Sequence, residues 1–209
     1  IEKPFIIEIS TSALDDYSVT LIGNNGSVYT FGYQYLGLED NSTSGENKPT
    51  RMDNFQDENK NVIDKPFITK SANGVNTTFL LDNEGNVYSY GYNDNNLGIS
   101  NTSIGQRVYI PTRIEEFKDS TGVIPAVKIL NIYASAGICC LLDYEGNVYS
   151  FGYNWGGQLG HGDTTSAKNS PTKIETYHDN NGNIINDFIK ISQISLAGYG
   201  FNKTGSITF

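Results

Sequence analysis

One nine-residue phrase occurs three times in this chain, as Gly26–Gln34 (GSVYTFGYQ), Gly85–Asn93 (GNVYSYGYN) and Gly146–Asn154 (GNVYSFGYN), at steps of 59 and 61 residues. A second marker keeps the same beat: Pro49-Thr50-Arg51, Pro111-Thr112-Arg113 and Pro171-Thr172-Lys173 lie 62 and 60 apart. Two markers in phase define a repeat protein, in which each unit buries its apolar faces only by stacking on its neighbours. The phase divides the chain into units 1–65, 66–126 and 127–187, with 188–209 opening a fourth around Ile189-Lys190-Ile191-Ser192 and a turn glycine at Gly205. The pattern begins and stops within a unit, so the expectation is a segment of a longer polypeptide.

Within a unit the pattern alternates with period two, the period of a strand. In Phe79–Gly91 two apolar runs flank the short turn Asp82-Asn83-Glu84-Gly85, and Leu142–Gly146 and Leu21–Gly26 repeat the arrangement. Each is read as a tight hairpin whose glycine takes positive φ. Val28, Val87 and Val148 share one strand face with Thr30, Ser89 and Ser150. Tyr29, Tyr88 and Tyr149 share the other face with Phe31, Tyr90 and Phe151. Small residues on one face and large on the other fit stacked sheets, which makes core packing the expected role of these aromatics. Gly32, Gly91 and Gly152 then release the chain from the strand. A further recurring element runs from Phe55-Gln56-Asp57 to Val62-Ile63, from Phe117-Lys118-Asp119 to Val123-Ile124, and from Tyr177-His178-Asp179 to Ile184-Ile185. It reads as a second hairpin, expected to project from the unit and to be a place for partner contact.

The run Gly146–Asp163, with Trp155-Gly156-Gly157-Gln158-Leu159-Gly160-His161-Gly162 at its centre and Pro171-Thr172-Lys173-Ile174 after it, resembles the repeat of the regulator of chromosome condensation family. The likeness covers all three units and weakens toward the first, where the loop between the aromatic-Gly and Leu-Gly pairs shortens: Gly152 to Gly160, Gly91 to Gly98, Gly32 to Gly37. The resemblance implies an all-β fold: β-propeller blades of four-stranded antiparallel sheets, forming an incomplete arc of a seven-bladed propeller. The second hairpin accounts for a period longer than the family's usual one. The family often carries a His eight residues before the turn glycine, where this chain has Ser18, Thr77 and Ile138.

Charge narrows the partners. With 14 Lys and Arg against 23 Asp and Glu, the net charge is −9, and the basic residues are scattered. Backbone-driven nucleic-acid binding needs clustered cations to displace counterions, so nucleic acid is not an expected partner. No run of 18 apolar residues predicts a membrane-spanning helix, so membrane insertion is not expected either. The two cysteines, Cys139 and Cys140, are adjacent on a predicted strand, so they point to opposite faces and are read as small buried residues rather than a disulfide. Free thiols suggest a reducing compartment.

Candidates for chemistry are few. The two histidines, His161 and His178, have no neighbours that suggest a triad, and neither a phosphate loop nor a metal-spaced cluster occurs. Asp57, Asp119 and Asp179, like Glu84 and Glu145, recur with the units, as turn chemistry requires and a singular acid-base pair does not. No enzyme activity and no cofactor are expected of these residues. The candidate protein-binding residues are Trp155, with Tyr35 at the equivalent place in the first unit, and Tyr177, Phe117 and Phe55 on the second hairpins. The leading expectation is a non-catalytic interaction or scaffold module that binds other proteins of a larger assembly. The alternatives are a guanine-nucleotide exchange factor for a small GTPase, as the resemblance implies, and the accessory domain of a larger ubiquitin ligase or kinase. Asn, Ile and Tyr supply 60 of the 209 residues, a bias of AT-rich coding. From it follows the expected setting, cytoplasmic, with a cytoskeletal or ciliary assembly as one form.

Overall fold

The computed structural model describes residues 3–12, 17–39, 45–125, 127–164, 167–185, 189–199 and 204–208. The first sheet is a four-stranded meander of β1 (Ile6–Thr11), β2 (Ser18–Gly23), β3 (Val28–Gly32) and β4 (Glu46–Met52), every pair antiparallel. Two short strands follow, β5 (Phe55–Gln56) and β6 (Val62–Ile63). The second unit then repeats the meander as β7 (Ile68–Asn73), β8 (Thr77–Asp82), β9 (Val87–Tyr92) and β10 (Arg107–Arg113). The third follows its own short pair, β11 (Phe117–Asp119) and β12 (Gly122–Ile124), with β13 (Ile129–Ser135), β14 (Ile138–Asp143), β15 (Val148–Gly152) and β16 (Lys168–Lys173). Last come β17 (Ser195–Tyr199) and β18 (Thr204–Thr208), an antiparallel pair. Gly205, expected at a turn, lies instead within β18 opposite Gly198.

The second hairpins of the first two units do not project from their own units, while that of the third is held by an antiparallel bridge between His178 and Ile184. β5 pairs in parallel with β10, Gln56 opposite Thr112, and β11 pairs in parallel with β16, Lys118 opposite Thr172. Each hairpin therefore extends the sheet of the following unit, giving two six-stranded sheets in the orders β6-β5-β10-β9-β8-β7 and β12-β11-β16-β15-β14-β13. Gln56 Nε2 donates to Thr112 Oγ1 across the first junction at 2.9 Å. Sequence repeat and structural sheet are thus out of phase by one hairpin.

Packing explains the exchange. Phe55 and Phe117 are only 1% and 2% exposed. Each ring meets a tyrosine of the next sheet edge-on, Phe55 with Tyr88 and Phe117 with Tyr149, both at 5.5 Å between centroids. One core joins Ile22, Val28 and Met52 of the first sheet to Leu80, Tyr88 and Tyr90 of the second; the next joins Phe79, Leu81 and Val87 to Leu141, Tyr149 and Phe151. Cys139 and Cys140 face opposite sides of β14, in different cores, and burial pushes both thiols up.

The turns use one piece of chemistry four times. Asp82 Oδ1 accepts from the N–H groups of Glu84 and Asn86 while its Oδ2 accepts from Asn86 Nδ2, at 2.8 to 2.9 Å. Asp143 with Glu145 and Asn147, Asp57 with Asn59 and Asn61, and Asp179 with Asn181 and Asn183 repeat it. A side-chain carboxylate that satisfies two backbone donors fixes a tight turn without help from elsewhere in the fold. Of the periodic carboxylates, Asp57 and Asp179 are turn pins, Asp119 accepts from the N–H and hydroxyl of Thr121, and Glu84 and Glu145 supply backbone N–H groups to the pins Asp82 and Asp143. Gly32, Gly91 and Gly152, at φ of 118°, 126° and 108°, close the third strand of each sheet. A Cβ there would collide with the carbonyl oxygens of Tyr17, Asn76 and Gly137.

Candidate interaction surface

Because the strands alternate in direction, the loops after the first and third strands of every sheet emerge at the same end. Residues 33–39, 93–106 and 153–164 therefore share one face of the blades. Each loop begins within two residues of Gly32, Gly91 or Gly152, the second glycine of the nine-residue phrase. Beneath it Ser89 Oγ donates to Leu97 O, and Ser150 Oγ to Leu159 O, both at 2.7 Å, so the small hydroxyl of the phrase anchors the Leu-Gly pair that returns the loop to the core. Ser150 Oγ is also 2.9 Å from His161 Nε2, and burial lowers the pKa of His161.

A buried asparagine organises the two longer loops. Asn154 is fully buried; its Oδ1 accepts from Leu159 N at 3.2 Å and its Nδ2 donates to Asp163 Oδ1 at 2.7 Å. Asn93 Nδ2 donates to Thr102 O at 2.8 Å in the second unit. Sequence reasoning missed this role, although the signal was present: the phrase ends in Asn in these units and in Gln34 in the first, where Gln34 and Tyr35 take positive φ.

On this scaffold the loops present aromatic rings. Trp155 is 67% exposed and rests on Tyr153, centroids 5.2 Å apart at 37°. The Tyr153 hydroxyl donates to the Asp94 carboxylate, tying the third loop to the second. Tyr35 packs against Tyr92 at 6.3 Å, with the Arg107 guanidinium 5.6 Å from the Tyr35 ring centre. Tyr17, Tyr33 and Ile104 add exposed apolar surface at the same end. Tyr33 is the eighth residue of the first phrase, whereas Tyr17 and Ile104 lie outside the repeated phrases, where nothing in the sequence marked them.

Of the residues singled out from sequence, the fold brings Trp155 and Tyr35 to this loop face. Tyr177 is elsewhere, half-buried beside the Cys140, Leu142, Val148 and Ile174 cluster. Phe55 and Phe117 are corrected from surface contacts to core residues, because the parallel junction covers them. Among the described residues no group of three or more His, Cys, Asp or Glu is placed to hold a metal ion, and no helix is long and apolar enough to cross a membrane.

The profile of the Regulator of chromosome condensation (RCC1) repeat matches residues 145–199. Protein RCC2 homolog of Danio rerio is 28% identical over 184 residues, covering 77% of this chain and 35% of the relative, and Protein RCC2 of Homo sapiens is 26% identical with 77% and 34% covered. The chain thus spans about a third of the length of the curated relatives it matches. Human WBSCR16 superposes with a TM-score of 0.63 at 18% identity, over 81% of this chain and 38% of that one. Prp20p from Saccharomyces cerevisiae does so with 0.64 at 17% identity, over 81% and 38%. At such identities the structural likeness speaks for the fold, an arc of propeller blades.

Proposed function

This chain belongs to the regulator of chromosome condensation repeat family, and from that premise we propose that it is a non-catalytic protein-interaction module of a larger assembly, binding through its aromatic loop face. The observation that carries the reading is Trp155. The chain's one tryptophan lies two-thirds exposed on a loop pinned from below by a buried asparagine. Large, rigid aromatic side chains on pre-organised loops lose little entropy on binding and are enriched among interface hot spots. The net charge of −9 favours a partner segment with basic character, and the stacking of Arg107 on Tyr35 is an internal instance of the same chemistry. A cytoplasmic cytoskeletal or ciliary assembly remains the proposed setting, on composition alone.

The test compares proteins captured by the unmodified chain, by a Trp155→Ser, Tyr35→Ser variant, and by a Val123→Ser variant altered on the outer rim. Loss of the same proteins only from the loop-face variant supports the reading. Equal capture by all three sinks it. A second reading, exchange activity on a small GTPase, draws on Prp20p, which binds Gsp1p and histones. Nucleotide-release assays on a panel of small GTPases decide it, and stimulated release would replace the first reading.

A further inference from the structure

The strand β4 is the one fourth strand with no hairpin on its outer edge among the described residues. Its surroundings register the difference residue by residue. Pro111 and Pro171 are buried beneath the hairpins of the preceding units, whereas the equivalent Pro49 is exposed. Tyr88 and Tyr149 each receive a phenylalanine edge and are buried, whereas the equivalent Tyr29, without such an edge among the described residues, is half-buried. Ile9, on the same sheet face, is 65% exposed, while its counterpart in the third sheet, Ile132, is in the core. The open edge and the apolar face beside it together have the shape of one missing element.

We propose that this edge and face are the acceptor site for the aromatic-x-Asp hairpin of a further repeat of the same kind, carried by a longer polypeptide. The hairpin's aromatic ring would enter edge-on against Tyr29, and its first strand would pair in parallel with β4 at Thr50. The two occupied copies of the site set the chemistry. Both are filled by Phe followed by x-Asp, both pair in parallel at the Thr of the Pro-Thr marker, and both place the ring centroids 5.5 Å apart. The length of the relatives, about three times that spanned here, leaves room for such a repeat. The recognition is β-strand addition with one aromatic anchor, so main-chain pairing gives adhesion and the ring gives specificity.

The test uses the chain's own donor. Residues 114–128 are repeated directly ahead of Ile6, replacing 1–5, which restores the spacing between hairpin and first strand found ahead of Ile129. Hydrogen exchange at β4 is expected to slow at least about tenfold, with Tm raised by roughly 5 °C. The same graft carrying Phe117→Ala in the added copy should lose most of both effects. In a separate arm that needs no graft, a synthetic peptide of residues 114–125 with a photo-reactive phenylalanine at position 117 should label the unmodified chain at or beside Tyr29. Unchanged exchange at β4 with labelling elsewhere would overturn the proposal, as would equal gains from both grafts, which would mark unspecific edge pairing. Self-association of the unmodified chain that the graft abolishes would assign the site to a second copy and also overturn it.

Discussion

Replacing Phe117 by alanine should be among the most damaging single changes in this chain, although the sequence places that residue on an appendage. The ring is 2% exposed and meets Tyr149 edge-on, 5.5 Å between centroids and 89° between planes. Truncation of a buried phenylalanine costs about 3–5 kcal/mol, and the edge-to-face pair accounts for roughly 0.5–1.5 kcal/mol of specific interaction. A loss of about 4 kcal/mol corresponds to a Tm drop of roughly 8–16 °C for a chain of this size. Repeat arrays can unfold in parts, so the loss should be read locally as well as globally. Hydrogen exchange in β11, β12 and β16 should accelerate before that in β1 to β3. Val123→Ala, on the same hairpin but 66% exposed, should stay within about 0.5 kcal/mol of the parent. A double-mutant cycle with Tyr149→Ala should return a coupling of about 0.5–1.5 kcal/mol. If Phe117→Ala costs less than about 1 kcal/mol, or the coupling is zero, the hairpin is not the structural link between units described above.

Three further outcomes are expected. Asp143→Ala removes the acceptor of two backbone N–H groups and the Asn147 amide, and should destabilise the third sheet by about 1–3 kcal/mol in denaturant titrations. His161 has a folded pKa lowered by burial; stability from that group is therefore present above the unfolded value near about 6.5 and declines as pH falls below it. Tm measured across that window should flatten in His161→Leu, the residue class found at the equivalent Leu38 and Ile99. Gly152→Ala forces a Cβ against the Gly137 carbonyl at a positive φ, and should cost more than about 1 kcal/mol by thermal unfolding.

What could be read in advance follows the range of the interactions. The Asp-pinned hairpins were legible because carboxylate, amides and glycine lie within five residues. The faces of β3, β9 and β15 were legible because period-two alternation is local. The partner of each second hairpin was not: Gln56 meets Thr112 fifty-six positions away, and nothing near either residue announces a parallel pairing. That omission made Phe55 and Phe117 look like surface residues, since an aromatic ahead of a turn fits a buried strand and an exposed tip equally well. Trp155 stood out as a departure from the repeat, and the fold exposes it. Tyr17 and Ile104 gave no such signal, because loop residues outside the phrase have no counterparts to differ from. Gly205 was misplaced by extending the beat of the turn glycines into a unit whose strands pair in another register.

The most direct test of the account is site-specific photo-cross-linking in the native source, with one reactive residue at position 155 on the loop face and, separately, one at position 123 on the rim. The account predicts discrete covalent partner adducts from position 155 and none of the same adducts from position 123. Adducts from the rim alone would contradict it and return the binding role to the hairpins.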